Sequence, residues 1–397
     1  MPVLIYLHRN QLRPAGGPLG VGYYIYEEVN NRGIQDDVCF LENKETVKDK
    51  FFYPLVKSIM RMFPFLDRTL RALKKISQYK KIFSSNATSK INNIEKFNAI
   101  HFHSTIDLYR EREKLANYKG KIILSSHSPV PAFLEIEDSC ETKLETIWYK
   151  KNKEKFIDID RFAFQRADYI VFPTEGALEP YLNHWDEFKR IIKDKYLLYL
   201  PTGISERKAK IRSDQIRRKL KLKKDDFVIS FAGRHNSTKG FDLLKEIAIK
   251  LFELDSQIKV ISMGEEHPIL RLNHQSWVEL GFMKDPYSYI RASDLLIVPN
   301  RETYFDLVIL EALSLGKIVL TTRTGGNRYY QEHQVGGVYF FSTIEEAINL
   351  IHKIKSFSEK ERELLGLANK TFFYKNLTSR QYMDSYLSAL RSIGINK

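Results

Sequence analysis

Residues 227–247 read FVISFAGRHNSTKGFDLLKEI, an apolar run followed by a short polar turn and an amphipathic segment. This order predicts a β-strand, a turn and a helix, the repeating unit of a parallel sheet. Arg234 and Lys239 lie five residues apart in the turn, next to Gly233 and Gly240. A guanidinium group binds phosphate oxygens in a fork and an ammonium adds a point charge. The turn therefore suits a diphosphate, although surface cations are common enough to occur here by chance.

The same alternation of apolar run and helical pattern extends in both directions along the chain. It predicts an α/β fold made of two doubly wound, Rossmann-like parallel sheets. In the first half the predicted strands are VLIYL at 3, DVCFL at 37, AIHFH at 99, KIILSSH at 121, YIVFPT at 169 and YLLYLP at 196. In the second half they are FVISFAG at 227, KVISMG at 259, SWVELGF at 276, LLIVPN at 295, KIVLTT at 317 and GVYFF at 337.

A charged stretch without a strand pattern, residues 202–224, separates the two series and predicts a linker. We therefore expect one domain at 1–202 and a second at 203–377. The final segment, 378–397, reads as an amphipathic helix with Tyr382, Tyr386 and Leu390 on one face, and we expect it to pack back on the first domain. Two such domains would face a cleft at the carboxyl ends of their strands, where open parallel sheets bind ligands.

The composition fits a two-domain protein of the cytoplasm. The chain has 397 residues, of which 43% are hydrophobic and 13% aromatic, enough to build two cores. Its two cysteines, Cys39 and Cys140, form no CxxC or Cys/His cluster, which argues against a zinc site or a disulfide framework. No apolar run reaches the ~18 residues of a membrane span. We expect a cytoplasmic protein without a structural zinc site.

The net charge of +14 is concentrated between residues 48 and 90, where eleven Lys or Arg residues accompany two acidic ones. Phe, Leu, Ile and Met alternate with these cations at helical spacing, which is typical of a segment that lies on an anionic membrane surface. A solvated cationic helix face would have the same composition. Nucleic acid is the other usual partner of basic segments, but no nucleic-acid-binding motif accompanies this one. We predict peripheral contact with the inner face of the cell membrane.

A glycine-rich segment, PAGGPLGVGYYIYEEV at 14–29, follows the first predicted strand. Its glycines let a backbone approach a ligand closely, and the amides of the helix that follows can hold an anion. The spacing is not GxGxxG, so a dinucleotide site is disfavoured. The segment predicts a phosphate or acceptor site, with a turn required only by packing as the alternative.

The stretch IVPNRETYFDLVILEALSLGKIVLTTRTGGN, residues 297–327, predicts a second anion site. A helix should begin near Asp306, so that the amides of Asp306, Leu307 and Val308 face a phosphate group. Glu311 lies one turn further on. A buried carboxylate there would suit the two hydroxyl groups of a ribose, although an isolated glutamate on a helix would be unremarkable.

Together these motifs resemble glycosyltransferase family four, the retaining GT-B transferases that include sucrose synthase and the phosphatidylinositol mannosyltransferases. The resemblance covers nearly the whole chain, and its motifs are weak singly but specific together. They are Gly16–Gly17, IHFHS at 100, LSSHSP at 124, ADYIVFPT at 167, LPTGIS at 200, GRHNSTKG at 233, ELGFM at 279, SDLLIVPN at 293, residues 303–312 at the place of the family's E-x-F-G-(x)4-E-A motif, and TGG at 324.

The resemblance implies a role for individual residues. Arg234 and Lys239 would hold the donor diphosphate, Glu311 the ribose, residues 281–283 the base, and His127 the transferred sugar. The implied catalytic residues are His127, Arg234 and Lys239. The implied donor site is Gly17, Gly233, Met283, Thr303, Tyr304, Phe305, Asp306, Leu307, Val308 and Glu311, and the implied acceptor site is Gly16 and Gly20. His101 and His103 we interpret as structural residues at a strand end.

One part of the family pattern is altered. The family has a glutamate eight residues before the ribose glutamate, where this chain has Thr303, with Glu302 one place earlier. Asp306 also replaces a glycine. Because the missing glutamate contacts the donor sugar in the family, the identity of the sugar stays open, as does whether Glu302 or Asp306 takes over that contact.

The resemblance implies a metal-independent retaining transfer from a UDP- or GDP-sugar. The basic segment at 48–90 suggests a saccharide or polyprenyl-diphosphate-linked acceptor at the membrane, and hence bacterial surface polysaccharide synthesis. A non-catalytic partner subunit and a non-hydrolysing nucleotide-sugar epimerase are the alternatives on the same fold. A nucleic-acid-binding protein is the least favoured of these interpretations.

Overall fold

The computed structural model describes residues 2–8, 11–14, 17–41, 64–84 and 89–395, except for the side chains of residues 8 and 64–66. The chain divides into two compact units. Unit 1 comprises the described residues up to Phe172, then Tyr181–Tyr199 and the residues from Leu387 on. Unit 2 comprises Pro173–Pro180 and Leu200–Tyr386.

Unit 1 is an α/β unit on a parallel sheet. Its strands are β1 (Val3–His8), β2 (Val38–Leu41), β3 (Ala99–Phe102), β4 (Lys121–Leu124), β5 (Tyr169–Phe172) and β6 (Tyr196–Tyr199). They pair in the order β2-β1-β3-β4-β5-β6. The helices up to the end of this sheet are α1 (Pro18–Arg32), α2 (Pro64–Phe83), α3 (Thr105–Arg110), α4 (Arg112–Leu115), α5 (Ala132–Asp138), α6 (Lys143–Arg166), α7 (Glu179–His184) and α8 (Phe188–Ile192).

Unit 2 repeats the architecture. Its strands are β7 (Phe227–Ala232), β8 (Ile258–Met263), β9 (Trp277–Glu279), β10 (Leu295–Val298), β11 (Ile318–Thr322) and β12 (Val338–Phe341). They pair in parallel in the order β12-β11-β10-β7-β8-β9. The remaining helices are α9 (Ser213–Lys219), α10 (Phe241–Leu254), α11 (Pro286–Ala292), α12 (Leu307–Ser314), α13 (Arg328–Glu332), α14 (Ile344–Ser356), α15 (Glu359–Asn376) and α16 (Ser379–Ser392).

All twelve apolar runs predicted as strands are strands in the structure, and the prediction of two parallel sheets is confirmed. The physical reason is visible in β3 and β10, which are buried along their whole length. A strand covered on both faces is apolar at nearly every position, so it reads as a near-continuous apolar run, interrupted in β3 only by the buried His101. In unit 2 the core joins β7, β8, β10 and β11 to the apolar faces of α10 and α14.

The boundaries of the units differ in detail from the predicted domains. The stretch predicted as a linker, 202–224, contains α9, whose Ile216 is buried, and the buried side chain of Arg207. Pro173–Pro180 joins unit 2 because Gly176 and Glu179 pack against Gly325: a Cβ on Gly176 would lie 2.3 Å from the Gly325 carbonyl oxygen, and the Gly325 amide donates to Glu179 Oε2 at 2.8 Å.

The predicted C-terminal helix is present as α16, and Tyr382, Tyr386 and Leu390 are buried on one face of it. The helix belongs to both units, because its residues up to Tyr386 group with unit 2 and those from Leu387 on with unit 1. Within the described ranges, none of the helices combines the length and the apolar character needed to cross a membrane.

Candidate functional site

The turn between β7 and α10 carries the two cations predicted to hold a diphosphate. The Lys239 amide donates to Asn236 Oδ1 at 2.9 Å, and the Gly240 amide donates to the Ser237 carbonyl oxygen at 2.9 Å. Gly240 has a φ of +62°, and a Cβ there would lie 1.7 Å from the carbonyl oxygen of Pro299. Only glycine fits this position, so the turn lies directly against the carboxyl end of β10.

Gly233 and Arg234 begin the same turn. A Cβ on Gly264 would lie 1.8 Å from the Gly233 carbonyl oxygen, so the ends of β7 and β8 also approach closely. Arg234 is exposed at this edge, whereas His235 is fully buried and stacks on Phe241 with ring centroids 3.7 Å apart. Burial lowers the pKa of His235 to about 4, so the ring is neutral at pH 7. The residue that follows Arg234 in this turn is therefore a buried, uncharged histidine packed on α10, and it adds no charge to those of Arg234 and Lys239.

Lys239 meets the beginning of α12. Its Nζ lies 3.0 Å from Asp306 Oδ1 and 2.8 Å from Oδ2, and Asn300 Nδ2 donates to the same carboxylate. Asp306 is the N-cap residue of α12, so the helix begins where the sequence predicts. The structure therefore brings together Lys239 and the amide-bearing first turn of α12, which contains Leu307 and Val308. Asn300 was not predicted to take part, because an asparagine directly after a strand has no distinctive pattern.

Glu311 lies one turn into α12, and its carboxylate has partners that the sequence did not reveal. Oε1 accepts hydrogen bonds from Arg207 Nε at 3.2 Å, Arg207 Nη2 at 3.0 Å and the Tyr287 hydroxyl at 3.2 Å. The Arg207 guanidinium also lies over the Tyr287 ring, 4.9 Å from its centroid. Burial raises the pKa of Glu311, and Arg207 acts in the opposite direction. In the part of the chain that the structure describes, Oε2 receives no hydrogen bond, so it is available to a ligand hydroxyl group.

The segment predicted to bind the base follows β9. Gly281 has a φ of +64°; its amide donates to Glu279 Oε1 at 3.2 Å and its carbonyl oxygen accepts from the Gly264 amide at 2.9 Å. Phe282 is 81% exposed and Met283 is half-buried. An exposed aromatic ring beside a fixed turn can support a flat ligand group, and sequence reasoning did not identify Phe282.

The residues before Asp306 form a buried loop. Thr303, Tyr304 and Phe305 are all buried, and Phe305 stacks on Tyr330 with centroids 5.7 Å apart. A Cβ on Gly326 would lie 2.1 Å from the Tyr304 carbonyl oxygen, so the TGG motif packs against this loop's backbone. The side chains of these three predicted donor residues therefore hold the loop in place, and Asp306 carries the carboxylate nearest Lys239.

His127 follows β4 in unit 1. It adopts a φ of +55°, unusual for a residue with a Cβ, and its Nε2 lies 2.7 Å from Nδ1 of His103. His103 is fully buried and follows β3, while His101 contacts Ser125 Oγ at 2.9 Å. Burial lowers the pKa of His127 to about 4 and that of His101 to about 3. His103, predicted to be structural, thus contacts the predicted catalytic residue His127 directly. Both are neutral imidazoles at the ends of adjacent strands.

The glycine-rich segment lies at the beginning of α1, also in unit 1. Gly17 is its N-cap residue, with φ 75° and ψ −166°, a conformation essentially restricted to glycine. Gly20 is buried within α1, so its backbone serves helix packing. Gly16, predicted with Gly20 to bind the acceptor, lies outside the described residues.

Comparison with protein families gives a match to the model described as Glycosyl transferases group 1, over residues 212–372. That range contains the β7–α10 turn, the segment at 281–283 and the whole of α12. A lipopolysaccharide 1,2-N-acetylglucosaminetransferase of Salmonella typhimurium is 25% identical over 274 residues, which are 61% of this chain and 71% of that protein.

Solved structures share the fold over nearly the whole chain. Sucrose-phosphate synthase from Thermosynechococcus elongatus superposes with a TM-score of 0.65 at 14% identity, covering 99% of this chain and 98% of that one. The Anabaena protein HepE, solved in complex with UDP, has a TM-score of 0.63 at 13% identity and covers 99% of this chain and 100% of its own. Residues 212–372 therefore form a glycosyl transferases group 1 domain, and the chain shares the GT-B fold of these solved structures.

Proposed function

We propose that the chain is a metal-independent, retaining glycosyltransferase that moves a sugar from a UDP- or GDP-sugar to a lipid-linked saccharide acceptor. The observation that carries this proposal is the arrangement along α12. Lys239 meets the first turn of the helix, and Glu311 lies four residues after Leu307. Residues four apart lie on one face of a helix, about 6 Å apart along the axis. This separation suits the diphosphate and the ribose of one nucleotide.

The chemistry follows from these charges. The acceptor hydroxyl oxygen would form a bond to the anomeric carbon, while the bond between that carbon and the phosphate oxygen breaks and its electrons stay on the diphosphate. The hydroxyl proton would pass to a phosphate oxygen, so no protein base is needed. Arg234, Lys239 and the first amides of α12 would stabilise the leaving diphosphate, the point where negative charge develops. His127, neutral at pH 7, would donate or accept a hydrogen bond at the transferred sugar.

A lipid-linked acceptor is supported by α2, the described part of the basic segment predicted to contact a membrane. Residues 48–63 and 85–88 of that segment lie outside the described residues. Leu70 and Leu73 are each 49% exposed on α2, among the exposed cations Arg68, Arg71 and Lys74. Exposed leucines surrounded by cations suit an anionic bilayer. The Salmonella relative acts in lipopolysaccharide synthesis by its name, which agrees with a role in surface polysaccharide assembly.

The test is a screen of the purified chain against UDP-, GDP- and ADP-sugars in EDTA, with thermal stabilisation and donor hydrolysis as the two measurements. We expect one donor to stabilise the protein and to be hydrolysed slowly, with both effects lost in Glu311→Ala and Lys239→Ala. Lys250→Ala, a change at an exposed lysine on α10, is the matched control and should behave as wild type. NMR of the product's anomeric proton then reads out retention.

Three results would contradict parts of the proposal. Activity that appears only when a divalent metal replaces EDTA would remove metal independence, and an inverted product would remove retention. Binding of a donor without any turnover would favour the non-catalytic subunit, an outcome for which Thr303 and Asp306 would be the residues to examine first.

A further inference from the structure

Lys239, one of the two cations predicted to bind the donor diphosphate, is already neutralised by a carboxylate of this chain. Lys239 Nζ makes a two-pronged contact with Asp306, at 2.8 and 3.0 Å, and Asn300 Nδ2 holds the carboxylate from another direction. The side chains are only 23% and 12% exposed, so this is not a fully solvated ion pair. A phosphate group can bind Lys239 only in competition with the Asp306 carboxylate.

Asp306 does not have the usual role of an aspartate at the beginning of a helix. An N-cap aspartate ordinarily accepts hydrogen bonds from the first amides of its helix. Here the side chain makes no capping hydrogen bond and is turned to Lys239 instead. The backbone, at φ −76° and ψ 113°, is extended and open to any residue, so the position does not require a particular side chain for the fold. The carboxylate is therefore available for a role at the ligand site.

We propose that Asp306 is a built-in competitor for the donor diphosphate and so sets the affinity of the site. This inference rests on the proposed function, because it requires Lys239 to bind that diphosphate. A phosphate oxygen that approaches Lys239 and the first amides of α12 comes within a few ångströms of the negatively charged Asp306 carboxylate. The carboxylate must then leave Lys239 or share it, and either change weakens binding of both the donor and the nucleoside diphosphate product.

The test measures binding of UDP, GDP and ADP to the wild-type chain and to Asp306→Asn by calorimetry in EDTA. Asn keeps the size of the side chain and its capping ability while removing the charge. We expect Asp306→Asn to bind the preferred nucleoside diphosphate about 10 to 100 times more tightly, the scale of one like-charge contact at a partly buried site. The corresponding nucleoside, which lacks phosphate, should bind both proteins equally.

Two controls isolate the charge at this position. Asp214→Asn removes an exposed carboxylate from α9 and should leave affinity unchanged. Lys239→Ala should reduce the affinity of the Asp306→Asn protein more than that of wild type, since in wild type the lysine is neutralised. Should Asp306→Asn fold poorly by circular dichroism, Asp306→Ser supplies the same comparison with another capping residue.

The outcomes separate this inference from the proposed function. Equal or weaker binding by Asp306→Asn, with normal binding by wild type, overturns the inference alone and would mean that the carboxylate contacts the ligand favourably. Failure of every nucleoside diphosphate to bind either protein overturns both.

Discussion

Replacing Arg207 with methionine should remove the main partner of Glu311 while leaving its volume largely filled. Removal of one member of a buried ion pair typically costs about 3–5 kcal/mol, because the other charge is left without a partner. Arg207 is 8% and Glu311 13% exposed, so water reaches the carboxylate in part and we expect about 2–3 kcal/mol. For a unit of this size, that loss should lower the Tm by about 5–10 °C.

Calorimetry of thermal unfolding measures this shift, with Arg212→Met as the matched control. Arg212 pairs with Asp214 at the surface and is 80% exposed, so its loss should cost less than about 1 kcal/mol. The double variant Arg207→Met/Glu311→Gln should be more stable than Arg207→Met alone, because no unpaired charge remains. If the effects of Arg207→Met and Glu311→Gln on the free energy of unfolding are simply additive, Arg207 does not stabilise the protein through this ion pair.

The same variant should change how the ribose is recognised. Burial raises the pKa of Glu311 and Arg207 counteracts it, so the carboxylate of Arg207→Met should take up a proton at a higher pH than in wild type. A protonated Glu311 would lose the charge-assisted hydrogen bonds that the proposed function gives it with the ribose hydroxyl groups. As the pH is lowered, the preference for UDP over 2′-deoxy-UDP should therefore begin to shrink at a higher pH in Arg207→Met than in wild type. The same pH dependence of this preference in Arg207→Met and wild type would refute this.

Three further outcomes are expected. Gly240→Ala should destabilise unit 2 by about 2–4 kcal/mol in urea unfolding. Gly33→Ala, with φ +65° but open space around it, should cost only about 1 kcal/mol. Equal losses of unfolding free energy in the two variants would show that the close contact at Gly240 does not matter. Burial lowers the pKa of His127 from 6.5 to about 4, so the stability that the neutral ring contributes is complete above pH 6.5 and is lost as the pH falls towards 4. His127→Gln should therefore flatten the fall in unfolding free energy between about pH 7 and pH 5. An unchanged dependence of the unfolding free energy on pH would contradict this. Leu70→Ser/Leu73→Ser should reduce sedimentation with phosphatidylglycerol vesicles about tenfold without affecting the small signal from neutral vesicles; undiminished sedimentation would remove α2 from the membrane contact.

The architecture could be predicted because it depends on local patterns. Strands covered on both faces leave continuous apolar runs, and a parallel sheet places a helix after each one. The turn with Lys239 and Gly240, and the beginning of α12 at Asp306, were predictable for the same reason. The roles assigned to these residues came from the family resemblance and stay predictions until ligands are measured.

The partners within the candidate site could not be predicted, because they join distant parts of the chain. Arg207 lies in a charged stretch where nothing distinguishes it from its solvated neighbours, and it contacts a residue 104 positions away. Asp306 and Lys239 are 67 positions apart. His103 and His127 follow adjacent strands, so their contact depends on the strand order, which the alternation of strand and helix does not specify.

The assignment of α16 to both units has a consequence for synthesis on the ribosome. The residues from Leu387 on, with the buried Leu390 and Ile395, belong to unit 1, yet they are translated after all of Leu200–Tyr386. At about 5–20 residues per second, that interval lasts about 10–40 s. Unit 2 can complete its sheet as it is translated. For the whole of this interval, unit 1 lacks apolar side chains of its own core. The half of the protein that is made first is therefore the half that finishes folding last.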